Sequence, residues 1–166
     1  MSTTEQGVQE LAKKLGARLL MKGLRLATAE SCTGGWIAKV LTDIAGSSDW
    51  FEAAVVSYSN ESKKHFLKVP DGVLLDHGAV SENTVIAMQQ GLFLETRADA
   101  GISVSGIAGP GGGSEEKPVG TVWIAVGMRD QMVHTQKFLF EGERDQVRLQ
   151  AVEASLKALL ELVERG

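Results

Sequence analysis

The stretch LRLATAESCTGG, residues 24–35, followed by WIAKVLTDI, residues 36–44, decides how the chain folds. Leu24 to Ser31 is a short run of apolar and small residues, which reads as a buried strand. Thr33-Gly34-Gly35 turns the chain. The next nine residues carry Trp36, Ile37, Val40, Leu41 and Ile44 at helical spacing. Strand, tight turn, helix is the opening unit of an α/β fold. The expectation is a three-layer α/β/α sandwich with a mixed, mostly parallel sheet, formed by residues 1–166 as a single domain.

Upstream, Val8, Leu11, Leu15 and Leu19 share one face of a helix over about Thr4 to Met21, and Gly23 is its stop signal. Downstream, AGSSDW leads to a second strand, Phe51 to Ser59. Asn60 is read as the cap of a short helix, ESKKHFL, which Pro70-Asp71-Gly72 breaks. Ser81 caps a longer helix with Glu82 in its first turn. A third strand runs from Gly101 to Ile107. After the glycine-rich loop AGPGGGSEEK, the runs VGTVWIAVGM and MVHTQKFLF read as a hairpin joined through Arg129-Asp130-Gln131. A final helix spans about Arg144 to Glu164.

Composition narrows the function. With 17 basic and 21 acidic residues the formal net charge is −4, and no basic stripe suits a nucleic-acid surface. The one cysteine, Cys32, forbids an intrachain disulfide and fits a reducing compartment. The amino terminus lacks the basic and apolar regions of a leader, and no apolar run reaches bilayer length. A cytoplasmic protein without membrane or nucleic-acid partners is expected. His65, His77 and His134 are scattered, so no metal is expected.

Four constellations carry candidate chemistry. In AESCTGG, a nucleophile at a strand end projects from a fixed backbone, and N–H groups of the helix start can hold an oxyanion. Ser31, Cys32 and Thr33 are candidates, with Thr33 and Gly34 as oxyanion donors. The competing reading is a turn in which Ser31 or Thr33 only caps the helix. Cys32 has no evident histidine partner and reads better as a buried small residue. The pattern is neither the G-x-S-x-G elbow nor a Walker loop.

In YSNESK, Lys63 falls in the first turn of a helix, where positive partial charge and burial both disfavour the ammonium form. It can then serve as base for a serine, with the Tyr58 hydroxyl relaying a proton. A solvated Lys63-Lys64 surface is the alternative. In SGIAGPGGGS, successive N–H groups of a loop after a strand can surround an anion, and Ser105, Gly106, Gly109, Gly111 and Gly112 are the named positions. An unstructured surface loop competes. Arg144 and Arg148, four apart, share a helix face and can grip a phosphate, or pair with Glu143 and Asp145 on the surface. Ser48, in the loop Gly46 to Trp50, adds a hydroxyl or caps a turn. The three tryptophans read as packing residues.

Taken in order, AESCTGG, GSS, YSNESK, GAVS, SGIAGPGGGSEEKPVGTVWIA and GER resemble the CinA C-terminal domain family over about Leu11 to Leu162. The resemblance implies hydrolysis of the carboxamide of nicotinamide mononucleotide to nicotinic acid mononucleotide and ammonia, with no metal and no organic cofactor. It implies a serine–lysine amidase in which Ser31, Lys63 and Tyr58 act, and places the glycine loop and Arg144 in the substrate pocket. The family motif often reads GDR where this chain has Gly142-Glu143-Arg144. Many members carry a further amino-terminal domain, so a stand-alone form is expected here. A homodimer is expected on separate grounds, because small α/β enzymes can share a pocket edge between copies. A nucleotide-binding regulatory module without turnover, an amidase for a related nucleotide, and a metal-dependent phosphohydrolase are the other classes open to such a pocket.

Overall fold

The computed structural model describes residues 2–166; residue 1, part of the stretch read for a leader, lies outside them. Helix α1, Glu5–Lys22, starts on Thr4, whose hydroxyl accepts from the Gly7 amide, and stops at Gly23 in the left-handed region, φ 65°. Val8, Ala12, Leu15 and Leu19 form its buried face. Strand β1, Leu26–Glu30, is buried throughout and passes through a turn into helix α2, Trp36–Thr42. A single 3-10 turn, Ser47–Asp49, precedes strand β2, Phe51–Val56.

Helix α3, Asn60–Leu67, is capped by Ser59, whose hydroxyl accepts from the Ser62 amide at 3.1 Å. Asn60 is therefore the first helical residue and not the cap, which places Lys63 at the first i→i−4 bond, Lys63 N–H to Ser59 carbonyl. Pro70-Asp71-Gly72 does more than end this helix. It opens another, α4, Asp71–His77, because proline just ahead of the first turn lacks only an N–H that no helix needs there. Helix α5, Glu82–Glu95, begins at Ser81 as the sequence predicts.

Strands β3, Ala100–Gly106, β4, Thr121–Met128, and β5, His134–Leu139, complete one sheet in the order β2-β1-β3-β4-β5, and helix α6, Arg144–Arg165, closes the chain. Pairings β1–β2 and β1–β3 are parallel, whereas β3–β4 and β4–β5 are antiparallel. The sheet is mixed but not mostly parallel. The reversal comes from the glycine loop and the hairpin, which join neighbouring strands without a crossover helix.

Alternate residues of the central strands feed two cores. Leu26, Ile102, Val104 and Ile124 pack with α1, α2 and α6, while Ala27, Ala29 and Ala125 pack with Leu67, Val85, Met88 and Leu92 of α3 and α5. A buried polar stitch joins α5 to β3: Gln89 Nε2 donates to the Gly101 carbonyl at 2.9 Å and Ser103 Oγ donates to Gln89 Oε1 at 2.7 Å. Because β2 and β3 lie on opposite sides of β1, the chain order reverses at β1. In open α/β sheets a ligand crevice forms at the carboxyl end of such a strand, which here is Ser31.

Candidate active site

Ser31 directly follows β1, and its amide donates to the Val104 carbonyl at 3.1 Å, extending the parallel register by one step. The same register brings Ser57, at the end of β2, and Ser105, near the end of β3, alongside it. All three serines are buried, and Ser57 Oγ has no hydrogen-bond partner among the described residues.

Lys63 approaches this row from α3 and is only 1% exposed. Helical side chains lean toward their own amino terminus, and Lys63 accordingly folds back over the helix entry. Its Nζ donates to Ser31 Oγ at 3.0 Å, to the Ser57 carbonyl at 2.9 Å and to the Tyr58 carbonyl at 3.1 Å. Burial pulls the Lys63 pKa below the ordinary lysine value. Two of the three partners are carbonyls, which only accept, so a neutral amine must turn both of its N–H bonds to them. Its lone pair then faces the Ser31 hydroxyl.

The turn itself is held by a residue that sequence reasoning passed over. Glu30, fully buried, accepts at Oε1 from Thr33 Oγ1 at 2.7 Å, the Gly35 amide at 3.2 Å and the Ile37 amide at 3.0 Å. At Oε2 it accepts from the Ala38 amide at 2.9 Å and Thr28 Oγ1 at 3.2 Å. A carboxylate thus collects the free N–H groups at the start of α2, as an N-cap does. The available signal was an acidic residue ending an otherwise apolar strand, one turn ahead of a helix.

Cys32 is buried, which pushes its thiol up to about 12 and keeps it protonated at neutral pH. The Gly34 amide donates to the Ser31 carbonyl at 3.0 Å, so that oxyanion candidate is engaged within the turn. Among the described residues, no such bond occupies the amides of Cys32 or Thr33.

The other candidates lie around the rim or away from it. Tyr58 is exposed; its carbonyl meets Lys63, while its hydroxyl accepts from Arg144 Nη2 at 3.1 Å. Arg144 Nη1 also donates to the Gly109 carbonyl at 2.6 Å, tying the glycine loop to α6. That loop is closed at its base by Ile107 and Gly120, and Lys117 Nζ anchors it to the His77 carbonyl at 2.6 Å. Gly111 has open space around it, whereas a Cβ at Gly106 would stand 2.6 Å from Val122 Cγ2. Arg148 does not join Arg144: its Nε donates to the Cys32 carbonyl at 3.0 Å and its Nη2 to the Thr33 carbonyl at 3.1 Å. Ser48 is not brought to the cluster. Its turn sits at the amino ends of β1 and β2, where its carbonyl accepts from Arg25 Nη1. A surface hollow lined by Lys14, Lys157, Leu160 and Glu164 holds none of these residues.

Fold and geometry together define an α/β protein with a mixed five-stranded sheet and a buried serine–lysine pair at its chain-reversal point. Residues 8–163 match the family model of the CinA C-terminal domain, and the chain belongs to that family. It is 50% identical over 156 residues to nicotinamide-nucleotide amidohydrolase PncC of Escherichia coli K12, covering 94% of each chain. To the protein of that name in Pseudomonas putida it is 46% identical, covering 93% of this chain and 96% of the relative. The crystal structure of competence/damage inducible protein CihA from Agrobacterium tumefaciens superposes with a TM-score of 0.93 at 40% identity, over 98% of this chain and 99% of the other. No helix among the described residues is long and apolar enough to cross a membrane.

Proposed function

We propose that this protein hydrolyses the carboxamide of nicotinamide mononucleotide, giving nicotinic acid mononucleotide and ammonia, with Ser31 as nucleophile and Lys63 as base. The observation that carries the reading is the 3.0 Å contact of Lys63 Nζ with Ser31 Oγ, made by a desolvated amine whose other two hydrogen bonds go to carbonyls. A serine hydroxyl needs a base to become nucleophilic, and a neutral lysine supplies one. The substrate class is that named for the Escherichia coli and Pseudomonas putida relatives.

Ser31 Oγ attacks the carboxamide carbon as its proton passes to Lys63 Nζ. The carbonyl oxygen takes up the negative charge and is met by the Thr33 amide, a kind of contact worth roughly 3 kcal/mol. Lys63 then returns the proton to the departing nitrogen, the C–N bond breaks, and ammonia leaves an acyl-Ser31 ester. Water attacks the ester, giving its proton to Lys63, and Ser31 recovers it. The glycine loop around Gly109, Gly111 and Gly112, with Ser105, lines the pocket for the nucleotide; Arg144 and the Tyr58 hydroxyl stand at its rim to meet the phosphate. The same reading takes the fold as a three-layer α/β/α sandwich and the reaction as cytoplasmic.

Ammonia release from nicotinamide mononucleotide, measured with chelator present for the wild type and Ser31→Ala, tests the proposal. Chelator-resistant release that Ser31→Ala abolishes is the expected result. A folded wild type that releases no ammonia overturns it.

A further inference from the structure

We infer that Arg148 is a positioning residue for the nucleophile turn, aiming the Thr33 amide at the oxyanion, and not a ligand of the substrate phosphate. The inference rests on the amidase reading above for its catalytic consequence, but its geometry stands apart from it.

A trans peptide is planar, with its C=O and N–H pointing in opposite directions. Holding the oxygen therefore aims the hydrogen. Arg148 Nε holds the Cys32 carbonyl at 3.0 Å, which belongs to the same peptide unit as the Thr33 N–H. Its Nη2 holds the Thr33 carbonyl at 3.1 Å and so fixes the following unit, whose Gly34 N–H bonds the Ser31 carbonyl. From the opposite sense, Glu30 takes the N–H groups of Gly35, Ile37 and Ala38 together with the Thr33 hydroxyl. Carbonyls are gripped by the guanidinium and amides by the carboxylate, and the Thr33 amide is one of those left over.

The guanidinium is itself held in place. It lies over the Trp36 ring, 5.3 Å from its centroid, and its helix is locked beneath it by buried Val147 and Ala151. The turn also makes room for it: a Cβ on Gly34 would stand 3.3 Å from Arg148 Nη2. Two parallel donors in a fixed plane are what guanidinium offers and ammonium does not, so lysine at 148 cannot reproduce the grip.

The discriminating experiment compares the wild type, Arg148→Lys and Arg148→Gln on nicotinamide mononucleotide and on its dephosphorylated riboside. A positioning role predicts that both variants lose kcat by ~100-fold on both substrates, with KM little changed, as expected for a misaimed oxyanion donor. A raised KM with unchanged kcat on the mononucleotide, and no effect on the riboside, would make Arg148 a phosphate ligand and overturn the inference. Amide hydrogen exchange gives a readout free of turnover. Arg148→Gln is expected to speed exchange at Gly34 and Gly35, the hydrogen-bonded amides of the turn, while the β1 and β3 amides keep their protection; unchanged exchange at both overturns the inference. If the wild type releases no ammonia, the amidase reading fails and the exchange result alone decides the role of Arg148.

Discussion

Lys63 Nζ meets Ser31 Oγ at 3.0 Å although the two residues are 32 positions apart, one leaving strand β1 and the other leaning back from a helix entry. The amine is desolvated, and the two backbone carbonyls that share it leave one direction for its lone pair. This relationship makes the chemistry of the site dependent on one proton.

Lys63→Arg isolates that proton. Guanidinium stays charged at any working pH and cannot act as base. The variant is expected to lose at least about a thousandfold in kcat while remaining folded, a loss of the size seen when one member of a nucleophile–base pair is removed. For the wild type, kcat/KM should fall as pH drops through the lowered pKa of Lys63, because protonation removes the base. A pH profile of the two proteins checks both statements.

The same group links stability to pH. In the folded state Lys63 gives up its proton more readily than in the unfolded chain, so between its lowered folded pKa and the ordinary 10.5 the unfolded state binds more protons. Stability from this group therefore rises with pH across that window. The Tm of wild type minus that of Lys63→Met should increase from neutral pH toward 10, since the methionine variant lacks the titrating group and every other group cancels in the difference. A flat difference would show that Lys63 is not desolvated.

Cys32 sits beside the nucleophile and is predicted to take no part. With its thiol at about 12 and its side chain buried, it should resist iodoacetamide at pH 8 in the native protein and react once the protein is unfolded. Cys32→Ala should keep nearly full kcat and lose about 1 kcal/mol of stability, a small core truncation. Urea titration and steady-state kinetics measure the two effects separately.

Glu30→Ala is expected to be far more damaging. It strips the acceptor from five donors, several of them buried, and each orphaned donor costs about 1 kcal/mol or more. A loss of roughly 3 kcal/mol or more in urea titration is expected, with Ser31 out of reach of Lys63 in the fraction that folds. Gly106→Ala separates packing from binding: its Cβ would clash with Val122 and the Thr121 carbonyl, so stability should fall by about 1–3 kcal/mol while KM changes little.

Much of this architecture was legible in the chain. The spacing of Val8, Leu15 and Leu19, the Gly23 stop, the Ser81 cap and the hairpin of two apolar runs joined through Arg129-Asp130-Gln131 are local patterns, and the elements form where they predict. Helix α4 was not legible, because Pro70-Asp71-Gly72 ends one helix and opens the next with the same three residues. Nor was the even split of parallel and antiparallel pairs, since periodicity reports which face of a strand is buried and says nothing about its neighbour.

By itself, then, the sequence determined the order of the strands and of the helices other than α4, the placement of Ser31 at a strand-to-helix turn, and membership of the CinA C-terminal domain family, because each of these is carried by local runs of residues. Only the tertiary structure decided which side chains meet. It split Arg144 and Arg148, which share a helix face, between the glycine loop and the nucleophile turn. It left Ser48 at the opposite end of the strands from Ser31 and made Glu30 the anchor of the turn. The physical reason is that these contacts join residues as far as 116 positions apart. Their geometry follows from how two helical layers close on a twisted sheet, which no local pattern encodes.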